Sequence, residues 1–265
     1  MEIQERVITS LGELIDAVTP AEPDPVTGRR RDFGVYHGSI RADHALLTSL
    51  DRLGGTDPPH TKRRLEAHIL RNFARYSRPY LDQAPVNDWE LLVIAQHHGV
   101  PTRLLDWSYS PLVAAHFATT GAVPGKACAI WRLEWQRVHQ AYGIEPLALR
   151  IEDIAGLKLF GEKEDFTPWD LFRHEGSAFS VLIEPPSLNE RIVAQAATFT
   201  ISTDTSRAYE RFLADEGLID ALTKFIIPAE ATAHMRDQLD LAGVEDRYLF
   251  PDLDGVAESI RRYYA

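Results

Sequence analysis

The stretch from Gln96 to Ala118, QHHGVPTRLLDWSYSPLVAAHFA, dictates its own backbone more closely than a hydrophobic pattern alone could. It ends one helix, lays down a strand and starts a second helix. Residues 88–98 (DWELLVIAQHH) read as the first helix, with Asp88 as N-cap and Gly99 just past the last turn, where positive φ is free for glycine. Pro101 keeps that helix from resuming. TRLLDWS then reads as a strand. Ser110 followed by Pro111 starts the next helix, because proline at the first helical position gives up only an N–H that has no partner there.

Other elements follow from pattern. Residues 8–18 place apolar side chains at helical spacing, and 19–32, rich in Pro, Gly and charge, read as an exposed loop. Phe33–Tyr36 forms a brief strand ending at His37-Gly38. Residues 59–78 form a basic-faced helix with Leu65, Ile69, Leu70 and Phe73 on one side. Further strands are expected at 128–133, 179–184, 191–201 and 223–227, and closing helices near 229–241 and 252–264. Helices come early and strands late, which predicts an α+β class. At 265 residues the expected plan is an N-terminal helix and loop over 1–32 and a single domain over 33–265.

Composition narrows the chemistry. There is no run of 18 apolar residues, so no membrane partner is expected, and no basic-then-apolar leader opens the chain. The lone cysteine, Cys128, excludes an internal disulfide framework and a CxxC zinc site. A reducing cytoplasm is the expected location. The net charge of −11 argues against a broad phosphate-binding face. Arg29–Arg31 and Lys62–Arg64 are the two basic runs, and both read as solvated surface charge. A small nucleic-acid target reached by the active site alone stays open.

Nucleophile and metal signals are weak. No GxSxG is present, and Cys128 sits among apolar neighbours, as a structural thiol does. Gly121–Ala127 imitates a phosphate loop but has three residues between its glycines and Ala where Ser or Thr would bind Mg²⁺, so it reads as a turn. None of the ten histidines shows HExxH spacing, and His97 and His98 point about 100° apart on a helix. No metal is expected.

Three segments carry more. Val35-Tyr36-His37-Gly38-Ser39 ends a strand in an aromatic, a hydrogen-bonding ring and a glycine that lets a ligand approach the main chain. A strand end with a satisfied histidine fits it equally. Gln96, His97, His98, Arg103, Asp106, Trp107 and Ser108 gather polar groups just before the Ser110-capped helix, whose N–H groups attract phosphate. Arg103 and Asp106 also fit as an ion pair supporting the turn. Asn189-Glu190-Arg191, with Gln195 beyond, opens the longest predicted strand after Pro185-Pro186.

The run QHHGVPTRLLDWSYSPLVAAHFA, with VYHGS, NERIVAQAATF and LFPDLDGVA (249–257), resembles the FRG-domain family across about residues 33–257. The chain reads Tyr36-His37-Gly38 where the family's naming motif has Phe-Arg-Gly. That form resembles the Tyr-His-Gly strand of diphtheria-toxin-like and poly(ADP-ribose)-polymerase-like ADP-ribosyltransferases. Trp107-Ser108-Tyr109-Ser110 leading into Ala114-Ala115-His116-Phe117-Ala118 resembles their second element. Glu190-Arg191-Ile192-Val193 running to Thr198-Phe199 resembles their third.

The resemblance implies a split β-sheet core of the ADP-ribosyltransferase type with N-terminal and inserted helices, and NAD as substrate. His37, Glu190 and Arg191 take the catalytic positions. Tyr36, Gly38, Ser39, Gln96, His97, His98, Arg103, Asp106, Trp107, Ser108 and Gln195 line the NAD site. His37 holds the ribose or nicotinamide side, Ser108 steadies strand and ribose, and Trp107 or Tyr36 stacks on nicotinamide. The cleft is expected between the strand ending at His37 and the strand starting at Arg191, with a positive local field from its histidines and arginines. The glutamate position of that family falls on Arg191, with Glu190 beside it. Neighbouring strand residues face opposite sides, so Glu190 serves only if the strand bulges, while Arg191 suits a phosphate.

The implied activity is transfer of ADP-ribose from NAD to a protein or nucleic acid, in a bacterial toxin or phage-defence effector that an antitoxin or regulatory protein accompanies. Two other readings stand: an NAD- or nucleotide-binding sensor without transfer, and an NAD glycohydrolase or nuclease-like hydrolase using His97, His98 and Asp106.

Overall fold

The computed structural model describes residues 2–53, 61–81, 84–150, 153, 167–172, 178–185 and 190–264. Eight strands form one mixed sheet: β1 (Gln4–Val7), β2 (Val35–Ser39), β3 (Leu104–Ser108), β4 (Cys128–Leu133), β5 (Leu149–Arg150), β6 (Ser180–Glu184), β7 (Ala197–Ser202) and β8 (Leu222–Ile227). Their order is β1-β8-β4-β2-β3-β7-β6-β5. The β1–β8 and β5–β6 pairs are parallel and the rest antiparallel. Helices are α1 (Leu11–Val18), α2 (Lys62–Ser77), α3 (Asp88–His97), α4 (Pro111–Thr120), α5 (Trp135–Ala141), α6 (Pro168–Phe172), α7 (Glu190–Ala194), α8 (Tyr209–Asp215), α9 (Thr232–Leu241), α10 (Asp246–Leu249) and α11 (Leu253–Tyr263). The class is α+β. Among the described residues no helix is long and apolar enough to cross a membrane.

The sheet is weakest at its middle. β2 and β4 pair over five positions and β3 and β7 over five, whereas β2 meets β3 at the single pair Tyr36–Ser108. Two four-stranded half-sheets are therefore joined by one bridge. Core packing repeats the division. Leu70, Trp89, Leu92 and Val93 of α2 and α3 pack on Leu104, Val181, Phe199 and Ile201 of one half. Leu14, Ala114, Ala118 and Met235 of α1, α4 and α9 pack on Tyr36, Ile130 and Phe225 of the other. A third cluster spans both halves, with Val35 and Trp131 from one and Leu105, Trp107 and Leu182 from the other.

The punctuation around β3 forms as the local chemistry requires. Ser110 caps α4 by accepting from the Val113 N–H, with Pro111 at the first helical position, and Gly99 has φ +75° after α3. Gly121–Ala127 is the connection between α4 and β4, and Cys128 is buried.

Three expectations are corrected. The cap of α3 is Asn87, one residue before Asp88, because its carboxamide oxygen accepts the Glu90 N–H. The 1–32 segment, expected as a helix and loop, also contains β1, which joins the sheet edge beside β8. The strand expected over 191–201 begins at Ala197. Glu190–Ala194 is a single helical turn, closed by Gln195 N–H to Arg191 O and Ala196 N–H to Val193 O, and Ala196 turns the chain at φ 45°. Of the NERIVAQAATF segment, Asn189 lies outside the described residues, as does Pro186.

Candidate functional site

A cleft of about 440 Å³ opens where the half-sheets part, within the size range of small-molecule sites. β2 brings His37, β3 brings Asp106 and Ser108, and the C-terminal end of α3 brings Gln96 and His97. α4 brings Phe117, α7 brings Arg191 and Ile192, and Phe199 comes from β7.

His37 sits in the break itself. With no further β2–β3 pair past Tyr36–Ser108, its Nδ1–H donates to the Asp106 carbonyl oxygen at 2.8 Å. A carbonyl only accepts, so Nδ1 carries the proton and Nε2 keeps its lone pair. Burial holds the ring below its ordinary pKa against the opposing pull of Asp106. The ring also meets Trp107 edge-on at 5.8 Å, and Trp107 is itself fixed by its indole N–H to Thr200 Oγ1 at 2.9 Å.

Asp106 points from β3 into the cleft, flanked by protein but open to solvent at the mouth. Burial pushes its carboxyl above the usual range, opposed by the Gln96 hydrogen bond and by His37. A directional relay orients it. The Leu104 N–H donates to Thr102 Oγ1, the Thr102 hydroxyl to Gln96 Oε1 at 2.5 Å, and Gln96 Nε2 to Asp106 Oδ2 at 2.8 Å. Thr102 was not singled out in the sequence, and its place just before a buried strand is the signal it offered.

Arg191 enters from the opposite wall. Its guanidinium lies 4.5 Å over the Phe250 ring, its Nε is buried without a hydrogen bond, and it makes no ion pair with a described residue. Burial pulls its pKa down, with Asp252 and Asp106 opposing. Glu184, a conceivable partner, instead accepts from the Tyr109 hydroxyl at 2.8 Å. His97 is held at about 4 by burial, then by Arg191 and His98. Both cleft histidines are therefore neutral near pH 7. Among the described lining residues Arg191 is the one cation and Asp106 the one carboxylate. The expected positive field reduces to a single arginine facing an acid.

Several anticipated residues do other work. Arg103 is 1% exposed and pairs through Nε with Glu66 at 2.7 Å, so it neither lines the cleft nor pairs with Asp106. Ser39 donates to the Arg41 carbonyl, and His98, exposed, stacks edge-on with His97 outside the lining. Glu190 is exposed and does not line the cleft. Ser108 donates to the Gln195 carbonyl at 2.7 Å and Gln195 Nε2 to the Leu249 carbonyl, which ties α7 and α10 to β3. Tyr36 is buried, its hydroxyl given to Asp32, which also pairs with Arg132. Gly38 lines the cleft and also serves packing: a Cβ there would lie 2.1 Å from the Ala114 carbonyl oxygen of α4. Phe117 and Phe250, ring centroids 6.0 Å apart, form an aromatic wall that the sequence carried without a role. No group of three or more metal-ligating side chains exists among the described residues.

Residues 33–126 match the FRG domain family. The match covers β2 through α4 and ends before β4, so the segments around 189–199 and 249–257 lie outside it. No curated protein and no solved structure matches the chain.

Proposed function

We propose that this FRG-domain chain binds NAD in the cleft and transfers its ADP-ribose to a macromolecule. The observation that carries the reading is the convergence of His37, Asp106 and Arg191 on one cavity at the break in the sheet. Arg191, with an unpaired buried Nε and no ion pair to a described residue, suits the pyrophosphate. His37 offers Nε2 as an acceptor to a ribose hydroxyl. The rings of Phe117 and Phe199 supply apolar wall for nicotinamide.

The reaction breaks the bond between ribose C1′ and the nicotinamide nitrogen, whose electron pair leaves with nicotinamide. The acceptor's lone pair forms the new bond to C1′ and its proton passes to solvent. Positive charge develops at C1′, and a fixed carboxylate beside it supplies the electrostatic stabilisation. Asp106, held by Gln96, takes that role in place of Glu190. A toxin or phage-defence setting, in the cytoplasm, fits such chemistry.

The position of Glu190 outside the cleft favours one other reading, an NAD- or nucleotide-binding sensor without transfer. Incubation with NAD labelled on the adenylate, with acceptor lysate and nicotinamide assay in parallel, separates them. Transfer predicts label on macromolecules that Asp106→Asn abolishes while NAD still binds. Binding without nicotinamide release in the wild type rejects the transferase.

A further inference from the structure

We propose that the solvent face of α2 is a docking strip for single-stranded nucleic acid. Folding gathers there what the linear sequence scatters. Arg64, His68, Arg71 and Arg75 recur at i, i+4, i+7 and i+11, and Arg78 follows in the next short turn. Residues at such spacing share one face of a helix. All five are exposed. The strip runs about 20 Å at 1.5 Å per residue.

Three arginines of the strip stand outside the ion pairs of the described residues. Glu66, the one acid of α2, is buried against Arg103 on the opposite side. Arg71, Arg75 and Arg78 make no ion pair with a described residue, on a chain whose net charge is −11. Several other surface arginines are paired, as Arg41 is with Asp43, Arg137 with Asp220 and Arg207 with Asp215. Arg71, Arg75 and Arg78, aligned on one exposed helix face, are complementary to a chain of phosphates.

Two exposed aromatics select the single-stranded form. Tyr76 is 63% and Tyr80 87% exposed, and the Arg75 guanidinium lies 5.2 Å over the Tyr76 ring. Flat rings beside a cationic track are what unpaired bases stack on, whereas duplex bases are already stacked.

The strip also leads to the cleft. Ala74, Ser77 and Arg78 at the C-terminal end of α2 face Asn87, Asp88 and Leu91 at the start of α3, so the two helices run antiparallel. The N-terminal end of α2 therefore lies by the C-terminal end of α3, which carries Gln96 and His97. Glu66 fixes that end by accepting from Arg103, three residues before Asp106. Delivery of a nucleic-acid acceptor rests on the transferase reading, whereas docking does not.

The test is fluorescence anisotropy of the full chain with a labelled single-stranded oligonucleotide and its duplex, between about 50 and 200 mM salt. Binding should fall with salt on a log–log slope near −2, about 0.7 for each of three phosphates. The triple variant Arg71→Ala/Arg75→Ala/Arg78→Ala should lose about tenfold or more in affinity and most of that slope. Arg29→Ala/Arg30→Ala/Arg31→Ala, which removes the same charge elsewhere, should bind as wild type. Tyr80→Ala should narrow the preference for single strand over duplex. Equal affinity of the wild type and the α2 variant overturns the proposal, as does equal loss in both triple variants. Polyglutamate competing as well as oligonucleotide also overturns it, in favour of an acidic protein. With labelled NAD, label on the oligonucleotide that the α2 variant loses, nicotinamide release being unchanged, identifies the acceptor. If NAD is not cleaved at all, the anisotropy still decides docking.

Discussion

Arg103, just before β3, and Asp106, at the middle of the strand, stand three residues apart and have opposite fates. Arg103 is sealed in the interior with Glu66 and braces α2 against the strand. Asp106 faces the cleft, held by an amide rather than a cation. The same contrast divides the histidines. His139 is fully buried, its Nε2 accepting the Leu182 N–H at 2.8 Å, while His37 and His97 line the cavity. Arg103, Glu66 and His139, which frame the fold, are held by partners in the interior, whereas His37 Nε2 and Arg191 Nε at the cleft have no protein partner among the described residues.

Glu66→Ala is the hardest blow to the frame. It leaves the Arg103 guanidinium buried without its carboxylate, and about 3–5 kcal/mol of stability should be lost. Chemical denaturation measures it, and a loss below about 1 kcal/mol, the worth of a surface pair, breaks the distinction.

Acid should strike the frame next. The imidazole of His139 is pushed down to about 4 by burial, against about 6.5 in an unfolded chain. Between those values the unfolded state binds a proton that the folded state refuses, so stability falls as pH drops from about 6.5 to about 4. The cost approaches about 3 kcal/mol at the lower end. Melting temperatures of wild type and His139→Gln across that window should converge, since the variant lacks the group.

Gly38→Ala tests whether that glycine belongs to the frame. Its Cβ would run into the Ala114 carbonyl oxygen, and about 1–3 kcal/mol of overpacking strain should appear in the melting curve. A variant that melts like wild type but binds NAD poorly would return Gly38 to the ligand.

Asp106→Asn should be the mildest for the fold, within about 0.5 kcal/mol, because the amide still bonds Gln96 and faces solvent. Nicotinamide release should nonetheless collapse. If stability falls with activity, Asp106 is frame after all.

Much of the frame was legible because it is local. Gly99, Pro101, Ser110 and Pro111 act within a turn of chain, and each does in the fold what its own chemistry dictates. What depended on distant partners was not. Ile192 and Val193 made 191–201 read as one strand, but pairing with β3 starts at Ala197 and Ala196 reverses the chain first. β1 has four exposed residues without alternation, so its strand state comes from β8 rather than from pattern. The pairing of Arg103 with Glu66 spans 37 positions, and proximity in sequence had suggested Asp106 instead. The basic face of the helix expected over 59–78 was legible from helical period, whereas contiguous runs alone pick out only Lys62–Arg64.

Mechanically, two four-stranded plates pinned at Tyr36–Ser108 have one stiff direction and one soft one. Each plate is held along its own ladders, while across the break the plates are joined by the His37–Asp106 contact, by the core cluster that spans both halves and by α4, which packs on β2 and β3. The cleft lies where the plates meet, so a rocking of plate against plate is the motion that would widen and narrow it. A molecule lodged between His37, Asp106 and Arg191 works as a wedge against that rocking. Its arrival is felt most as reduced sway at β1 and β5, the outermost strands and the longest lever arms from the pin.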